Sequence, residues 1–171
     1  GHRTLNPEPI ELLDASIEEY MKQLLENNVM VDQVERRGEI ERQVKELLKA
    51  EECSTAIDEE LLDTVNFLVE NPQAVVGTFS ESHLALPTEV LVTPMEKEQR
   101  YFPMWQPDGK LLARFITVSN GTDGNLDSVR HGNERVLSAK LANAEFFYRE
   151  DQRTPLASKV DCLKQVIFQA K

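Results

Sequence analysis

Apolar residues recur at the 3.6-residue spacing of amphipathic helices in three consecutive stretches of the chain. Ser16 precedes the first stretch, Asp32 the second and Asp58 the third, and each is a residue type that commonly caps a helix N-terminus. Asn71-Pro72 follows the third stretch, and proline cannot continue a helix. The pattern therefore predicts three helices in an N-terminal helical lobe over residues 1–71, after a proline-punctuated, extended lead-in.

The pattern changes to short, β-branched runs after Pro72. Residues 74–79 predict a strand. Pro87 is typical of the start of a short helix through Leu91 to Met95, although Val90, Val92 and Thr93 would also suit a strand. Runs at 100–105 and 111–118 flank a turn that contains Asp108-Gly109, and they predict a β-hairpin. Pro103 would place the first hairpin strand at a sheet edge or create a bulge there.

A long helix is predicted from about Asp127 to Asp151, and Thr154-Pro155 predicts the start of a last one. The chain then reads as one module, with a strand-rich part over residues 72–120 and a helical part over residues 121–171. We expect an α+β fold with a small, mostly antiparallel sheet, a hairpin and long C-terminal helices.

Composition excludes several classes of protein. The 171 residues are 40% hydrophobic, which argues against a disordered acidic tail, and they include only two cysteines, too few for a disulfide scaffold. Cys53 and Cys162 favour a reducing compartment, and no apolar run is long enough to span a membrane, so we expect a cytoplasmic protein. The chain opens without methionine and stops at Lys171 directly after an apolar stripe, so we expect a piece of a longer protein.

Charge is distributed unevenly along the chain, whose formal net charge is -11. Residues 8–70 hold 18 acidic and 6 basic side chains, whereas residues 95–171 hold 10 acidic and 12 basic ones. One interpretation is a set of solvated helix faces; the other is an acidic lobe turned away from a polyanion that the second half contacts.

The sequence predicts neither a catalytic set nor a metal site. His2, His83 and His131 are scattered, and no phosphate-binding loop or nucleophile elbow is present. Cys162 lies on the apolar side of the predicted last helix, where a buried thiol is the simpler interpretation.

Two clusters could bind a ligand. On the long helix, Asn133 and Lys140 lie inside an apolar stripe, with Arg130 at its edge. Either Asn133 bonds a loop backbone while Lys140 snorkels or pairs with a carboxylate, or both face a ligand in a groove. In the hairpin, Arg100 and Tyr101 lie opposite Arg114. Interleaved arginines and aromatics suit single-stranded nucleic acid, but a hairpin packed on a core with arginines at its rim has the same pattern.

Several longer strings occur in a characteristic order, and through them the chain resembles the β subunit family of bacterial heterotetrameric glycyl-tRNA synthetases. The resemblance covers nearly the whole chain and is densest after Leu86. The strings are Gly1-His2-Arg3, Leu86-Pro87-Thr88-Glu89-Val90-Leu91, Gln99-Arg100-Tyr101-Phe102-Pro103, Asn120-Gly121, Gly132-Asn133-Glu134-Arg135-Val136-Leu137 and Ala144-Glu145-Phe146-Phe147-Tyr148.

The resemblance implies that the α subunit of the parent enzyme activates glycine with ATP and magnesium, while the β subunit supplies much of the recognition of tRNA(Gly). It implies an α+β module similar to the B3/B4 module of phenylalanyl synthetases, with no cofactor of its own, and with the α subunit and the rest of the β subunit as partners. Two positions depart from the family pattern, because Ser138 stands where we expect a basic residue and Asn143 where we expect an aspartate.

Our hypothesis is that the module helps to hold or shape the acceptor arm of tRNA(Gly). A scaffold role without RNA contact and an editing-type hydrolase role are the alternatives, although no catalytic set supports the latter. The candidate tRNA-binding residues are Arg100, Tyr101, Arg114, Arg130, Asn133, Lys140 and Arg149.

Overall fold

The computed structural model describes residues 16–121, 123–153 and 155–160. Within these residues the fold is α+β, as expected from the sequence, with five α-helices and one small sheet. The lead-in over residues 1–14 and most of the predicted last helix lie outside the described residues. The elements are α1 (Ile17–Glu26), α2 (Gln33–Ala50), α3 (Glu59–Asn66), β1 (Pro72–Thr78), α4 (Thr88–Thr93), β2 (Phe102–Trp105), β3 (Leu111–Asn120) and α5 (Leu126–Arg153).

The three predicted helix starts are confirmed by their caps. The Ser16 hydroxyl accepts a hydrogen bond from the Glu19 amide at 3.2 Å, and Asp58 accepts one from the Leu61 amide at 2.9 Å. Asp32 accepts from the amides of Val34 and Glu35 at 2.7 and 3.1 Å. Each cap satisfies amides that have no carbonyl partner in the first turn of the helix.

The third helix ends earlier than its apolar spacing predicts. Its last residue is Asn66, whose carbonyl accepts a hydrogen bond from Arg36 Nε at 2.9 Å and whose side-chain amide donates to the Gln33 carbonyl at 3.0 Å. The end of α3 is thus held to α2, and the chain turns away with Phe67 and Leu68 exposed.

The sheet is antiparallel, in the order β1-β3-β2, and β2 and β3 form the predicted hairpin. Gly109 has φ +86° in the connecting turn, a conformation that glycine adopts without steric cost. Pro103 fulfils both expectations, because β2 is an edge strand and its pairing with β3 shifts register between Pro103 and Trp105.

Helices cover both faces of the sheet, which gives two separate cores. Residues of α2 and α3 pack on one face, and residues of α4 and α5 pack on the other. The first core includes Ile40, Val44, Leu48, Leu61, Leu62, Val65, Phe102, Met104 and Ile116. The second core includes Phe79, Leu91, Met95, Tyr101, Phe115, Leu137 and Leu141.

The free edge of β1 is closed by side chains from helices on both faces. Gln43 of α2 accepts a hydrogen bond from the Ala74 amide at 2.8 Å and donates to the Pro72 carbonyl at 3.0 Å. Glu134 of α5 accepts from the amide and the hydroxyl of Thr78, both at 3.0 Å. Because these amides already donate hydrogen bonds to side chains, they cannot pair with a strand from another molecule.

Candidate nucleic-acid interface

Tyr101 lies inside the second core. Its ring stacks on Phe115 with centroids 4.7 Å apart, and the residue is only 4% exposed. Burial raises the pKa of its hydroxyl to about 12. With its ring packed in the core, Tyr101 presents no open face on which a nucleotide base could stack.

Asn133 binds within the protein through both ends of its amide. Its Oδ1 accepts a hydrogen bond from the Tyr101 hydroxyl at 2.6 Å, and its Nδ2 donates to the Val129 carbonyl at 2.7 Å. The sequence suggested a loop backbone as the structural partner of this residue. The partners are instead a hairpin tyrosine and a carbonyl one turn earlier in α5.

Arg100 holds a backbone turn closed. It has φ +59°, unusual for a residue other than glycine, and follows a π-helical turn over Pro94–Glu98. Its Nη1 donates to the Glu96 carbonyl at 3.0 Å and also to the Lys97 carbonyl. The half-buried guanidinium thus bonds the backbone of the turn that leads into β2.

The four remaining candidate cations each pair with a carboxylate. Arg114 pairs with Glu51, an ion pair that links β3 to the end of α2. The other three are Arg130 with Asp127 at 2.9 Å, Lys140 with Glu98 at 2.7 Å, and Arg149 with Glu145 at 2.5 Å. Exposed pairs of this kind are weak, so a phosphate could compete for the arginines without a large penalty.

Arg135 is an exposed cation outside the set of candidate residues predicted from the sequence. It is exposed on α5, and none of the described carboxylates lies within the 4.0 Å of an ion pair. At 100° per residue it lies about 160° around the helix from buried Leu137, so it faces away from the core. Helical periodicity places Arg135 on the side opposite the apolar stripe, but an exposed cation on that side is ordinary and does not by itself mark a site.

A cleft of about 550 Å³ runs between α4 and α5, and Lys140 and Asn143 lie on its wall. Val90, Pro94 and Phe147 supply much of its apolar surface. Lys140 is therefore beside a groove, as one interpretation of the sequence held, but its ammonium pairs with Glu98, and Asn133 does not line this cleft.

Other chemistry is sparse in the described part of the chain. His83 Nδ1 lies 3.2 Å from a carboxylate oxygen of Glu145, and His131 Nδ1 lies 3.2 Å from one of Glu134. Among the described residues, no three histidine, cysteine or acidic side chains are grouped as metal ligands would be. Cys53 is buried, which raises the pKa of its thiol, while His2 and Cys162 lie outside the described residues.

No described helix combines the length and apolar character that crossing a membrane would require.

A sequence model of the family described as "Glycyl-tRNA synthetase beta subunit" matches residues 1–171. The chain belongs to this family. It is 49% identical over 169 residues to the glycine–tRNA ligase beta subunit of Moorella thermoacetica, a match that covers 99% of the chain and 24% of the relative. The corresponding subunit of Syntrophotalea carbinolica is 45% identical, over 100% of the chain and 25% of the relative. That of Dictyoglomus turgidum is 44% identical, over 98% of the chain and 24% of the relative.

The chain therefore spans about a quarter of the length of these members of the glycyl-tRNA synthetase beta subunit family. The match confirms the family resemblance that was inferred from the characteristic sequence strings, which are densest after Leu86. It assigns no role to an individual side chain, so the tRNA contacts stay predictions.

Proposed function

We propose that the chain works as part of a cytoplasmic glycine–tRNA ligase, which attaches glycine to tRNA(Gly) at the expense of ATP. In this proposal an α subunit binds ATP, magnesium and glycine, and this chain acts with it and with the rest of a β subunit. The membership of the chain in the beta subunit family supports the proposal. The chain itself supplies no catalytic residue in this scheme.

Its role in that enzyme is to position tRNA(Gly) on the outer side of α5. The observation that carries this role is the exposed Arg135 guanidinium, which no described carboxylate neutralises. Arg149 lies about 40° around the same helix from Arg135, is 64% exposed at its side chain and pairs with Glu145 at the surface. Arg130, 39% exposed, lies about 20° from buried Leu137 and is therefore on the side of the helix that faces the core. Guanidinium groups bind phosphate oxygens in a two-point geometry, and a long helix presents them at fixed spacing.

The location of the acidic residues supports the same orientation. Residues 16–70 contain 15 acidic and 6 basic side chains, and α2 and α3 of this region pack on the sheet face opposite α5. A polyanion that approaches α5 is thus separated from much of this acidic region by the sheet, which reduces the repulsion that the net charge of -11 would otherwise cause.

The test is Arg135→Ala in the assembled enzyme, with Arg42→Ala as its control. Arg42 is also an exposed arginine, 53% accessible at its side chain, but it lies on α2. We expect Arg135→Ala to raise the KM for tRNA(Gly) about tenfold at unchanged kcat and to flatten its salt dependence, because one phosphate contact is lost. Equal effects of the two substitutions, or none, would contradict a contact at α5.

A scaffold role is the second candidate, and the internal bonds of Asn133 and Lys140 favour it. Both side chains already have partners within the protein, at 2.6 and 2.7 Å. Under this role Asn133→Ala and Lys140→Ala lower thermal stability or subunit assembly while the KM for tRNA stays constant. Subunit assembly and tRNA kinetics are measured together for Arg135→Ala, Asn133→Ala and Lys140→Ala. Only the tRNA-positioning role predicts a variant whose KM for tRNA rises while its assembly is unchanged, so these measurements separate it from the scaffold role.

A further inference from the structure

Exposed apolar side chains are concentrated in the N-terminal helices. Of the thirteen large hydrophobic residues that are exposed among the described residues, eight lie between residues 17 and 68. They are Ile17, Tyr20, Met21, Leu25, Val31, Val34, Phe67 and Leu68. Single exposed hydrophobics are ordinary, but a contiguous group of them marks an interaction surface.

Part of this group is drawn together by the buried side chain of Arg36. Its Nη1 donates to the Met30 and Val31 carbonyls at 2.6 and 3.3 Å, and its Nε donates to the Asn66 carbonyl at 2.9 Å. One guanidinium therefore holds the backbone before α2 against the end of α3. Val31 and Phe67 flank this junction and are 40% and 70% exposed.

The segment that follows helix α1 is bound beside the same junction. The Val29 amide donates to the Leu24 carbonyl at 2.8 Å, and the Met30 amide donates to the Glu70 carbonyl at 2.8 Å, so α1 is tied to the segment after α3. Leu24 is the one residue of the α1 apolar stripe that is buried, and Ile17 remains 78% exposed. The four exposed residues beside the junction, Val31, Val34, Phe67 and Leu68, are called the N-terminal patch below.

The surroundings of the N-terminal patch are acidic. Glu35 and Asp32 are exposed at the start of α2, and Glu70 lies two residues after Leu68. Of the six cations in residues 16–70, Arg36 is buried, and four others are already engaged with carboxylates: Lys22, Arg37, Arg42 and Lys45. An apolar surface with an acidic rim complements an apolar surface with a basic rim.

We infer that the N-terminal patch binds a partner protein through an amphipathic helix that carries lysine or arginine beside its apolar face. A second copy of this chain fits poorly, because each copy brings a net charge of -11 and the same acidic rim. Nucleic acid is repelled by that rim. A basic amphipathic helix instead buries its apolar face on Val34 and Phe67 and places its cations against Asp32 and Glu35.

The test uses the full chain and a fluorescent helical peptide of leucine and lysine, about 18 residues long so that it spans several turns. We expect the double substitution Val34→Ser and Phe67→Ser to raise the peptide Kd at least about tenfold. Phe146→Ser is the matched control, since Phe146 is 59% exposed but lies on α5, and it should leave Kd unchanged. High salt and Glu35→Gln should each weaken binding, because both reduce the attraction of the rim.

Four results would overturn the inference. Equal losses for the patch variant and Phe146→Ser would show nonspecific adhesion to an acidic protein, and equal binding of a leucine–glutamate peptide would remove the role of charge. Dimers of the chain that only the patch variant dissociates would assign the patch to a second copy. Peptide binding that arises only after removal of residues 1–15 would assign the patch to that segment. Phe67→Leu, which keeps an apolar side chain, should retain binding and so separates lost contact from lost folding.

Discussion

The Tyr101 hydroxyl donates a 2.6 Å hydrogen bond to Asn133 Oδ1, and this bond joins the residue that leads into β2 to the N-terminal third of α5. Both residues were candidates for RNA contact on sequence grounds. Instead, the two side chains form a hydrogen bond with each other at the border of the second core, where the Tyr101 ring stacks on Phe115. A buried hydrogen bond of this type specifies how a helix is positioned on a sheet.

Tyr101→Phe should therefore destabilise the protein without affecting tRNA binding. The substitution leaves Asn133 Oδ1 without its donor, and we expect a loss of about 1 kcal/mol in the free energy of unfolding. Tyr148→Phe is the matched control, because that hydroxyl accepts a 2.8 Å bond from Gln152 at the exposed surface. Chemical denaturation of both variants measures the difference, and an increased KM for tRNA with unchanged stability in Tyr101→Phe would contradict the structural role.

Alkaline pH should weaken the fold through the same tyrosine. Burial raises the pKa of Tyr101 to about 12, above the value of about 10 that is ordinary for tyrosine, so the folded state keeps its proton more tightly than the unfolded chain does. The stabilisation is fully present below pH 10 and is lost as pH rises through the folded pKa, by roughly 2 kcal/mol in total. Between pH 9 and 12, the free energy of unfolding measured by chemical denaturation should fall less steeply with pH for Tyr101→Phe than for the wild type. An equal fall in the two proteins would contradict the raised pKa of Tyr101.

Local patterns predicted the elements better than they predicted which side chains meet. The helix caps at Ser16, Asp32 and Asp58 and the Asp108-Gly109 turn depend on neighbouring residues, and all are confirmed. The early end of α3 depends on Arg36, thirty positions away, so helical spacing alone could not reveal it.

The candidate site was harder to predict for the same reason. Helical spacing showed that Asn133 and Lys140 lie in an apolar stripe and need partners, and the carboxylate partner foreseen for Lys140 is Glu98. The identity of Tyr101 as the partner of Asn133 depends on the packing of the hairpin against α5. Arg135 was missed because an exposed cation leaves no irregularity in a hydrophobic pattern.

Substitution by alanine should change the stability of the protein in opposite directions at two of its glycines. A Cβ at Gly77 would lie 2.5 Å from Phe115 Cζ, since the aromatic ring covers this point of β1. Gly77→Ala must displace that ring within a filled core, at a cost of about 1–3 kcal/mol. Gly38 lies inside α2 with no neighbour within 4 Å, so Gly38→Ala should stabilise the protein by up to about 1 kcal/mol. Thermal denaturation of the two variants tests the pair, and similar shifts in Tm would contradict the packing of Phe115 over Gly77.

Neighbouring arginines of α2 should differ sharply in their contribution to stability. Arg36 is 8% exposed and bonds the carbonyls of Met30, Val31 and Asn66, whereas Arg37 forms ion pairs with acidic side chains at the surface. Arg36→Ala leaves buried carbonyls without donors and releases the end of α3, so we expect a loss of about 2–4 kcal/mol. Arg37→Ala should cost much less, and its effect should vanish at high salt because exposed ion pairs are screened. Urea denaturation at low and high salt measures both variants. If Arg36→Ala were as mild and as salt-sensitive as Arg37→Ala, the junction between α2 and α3 would not depend on the buried guanidinium.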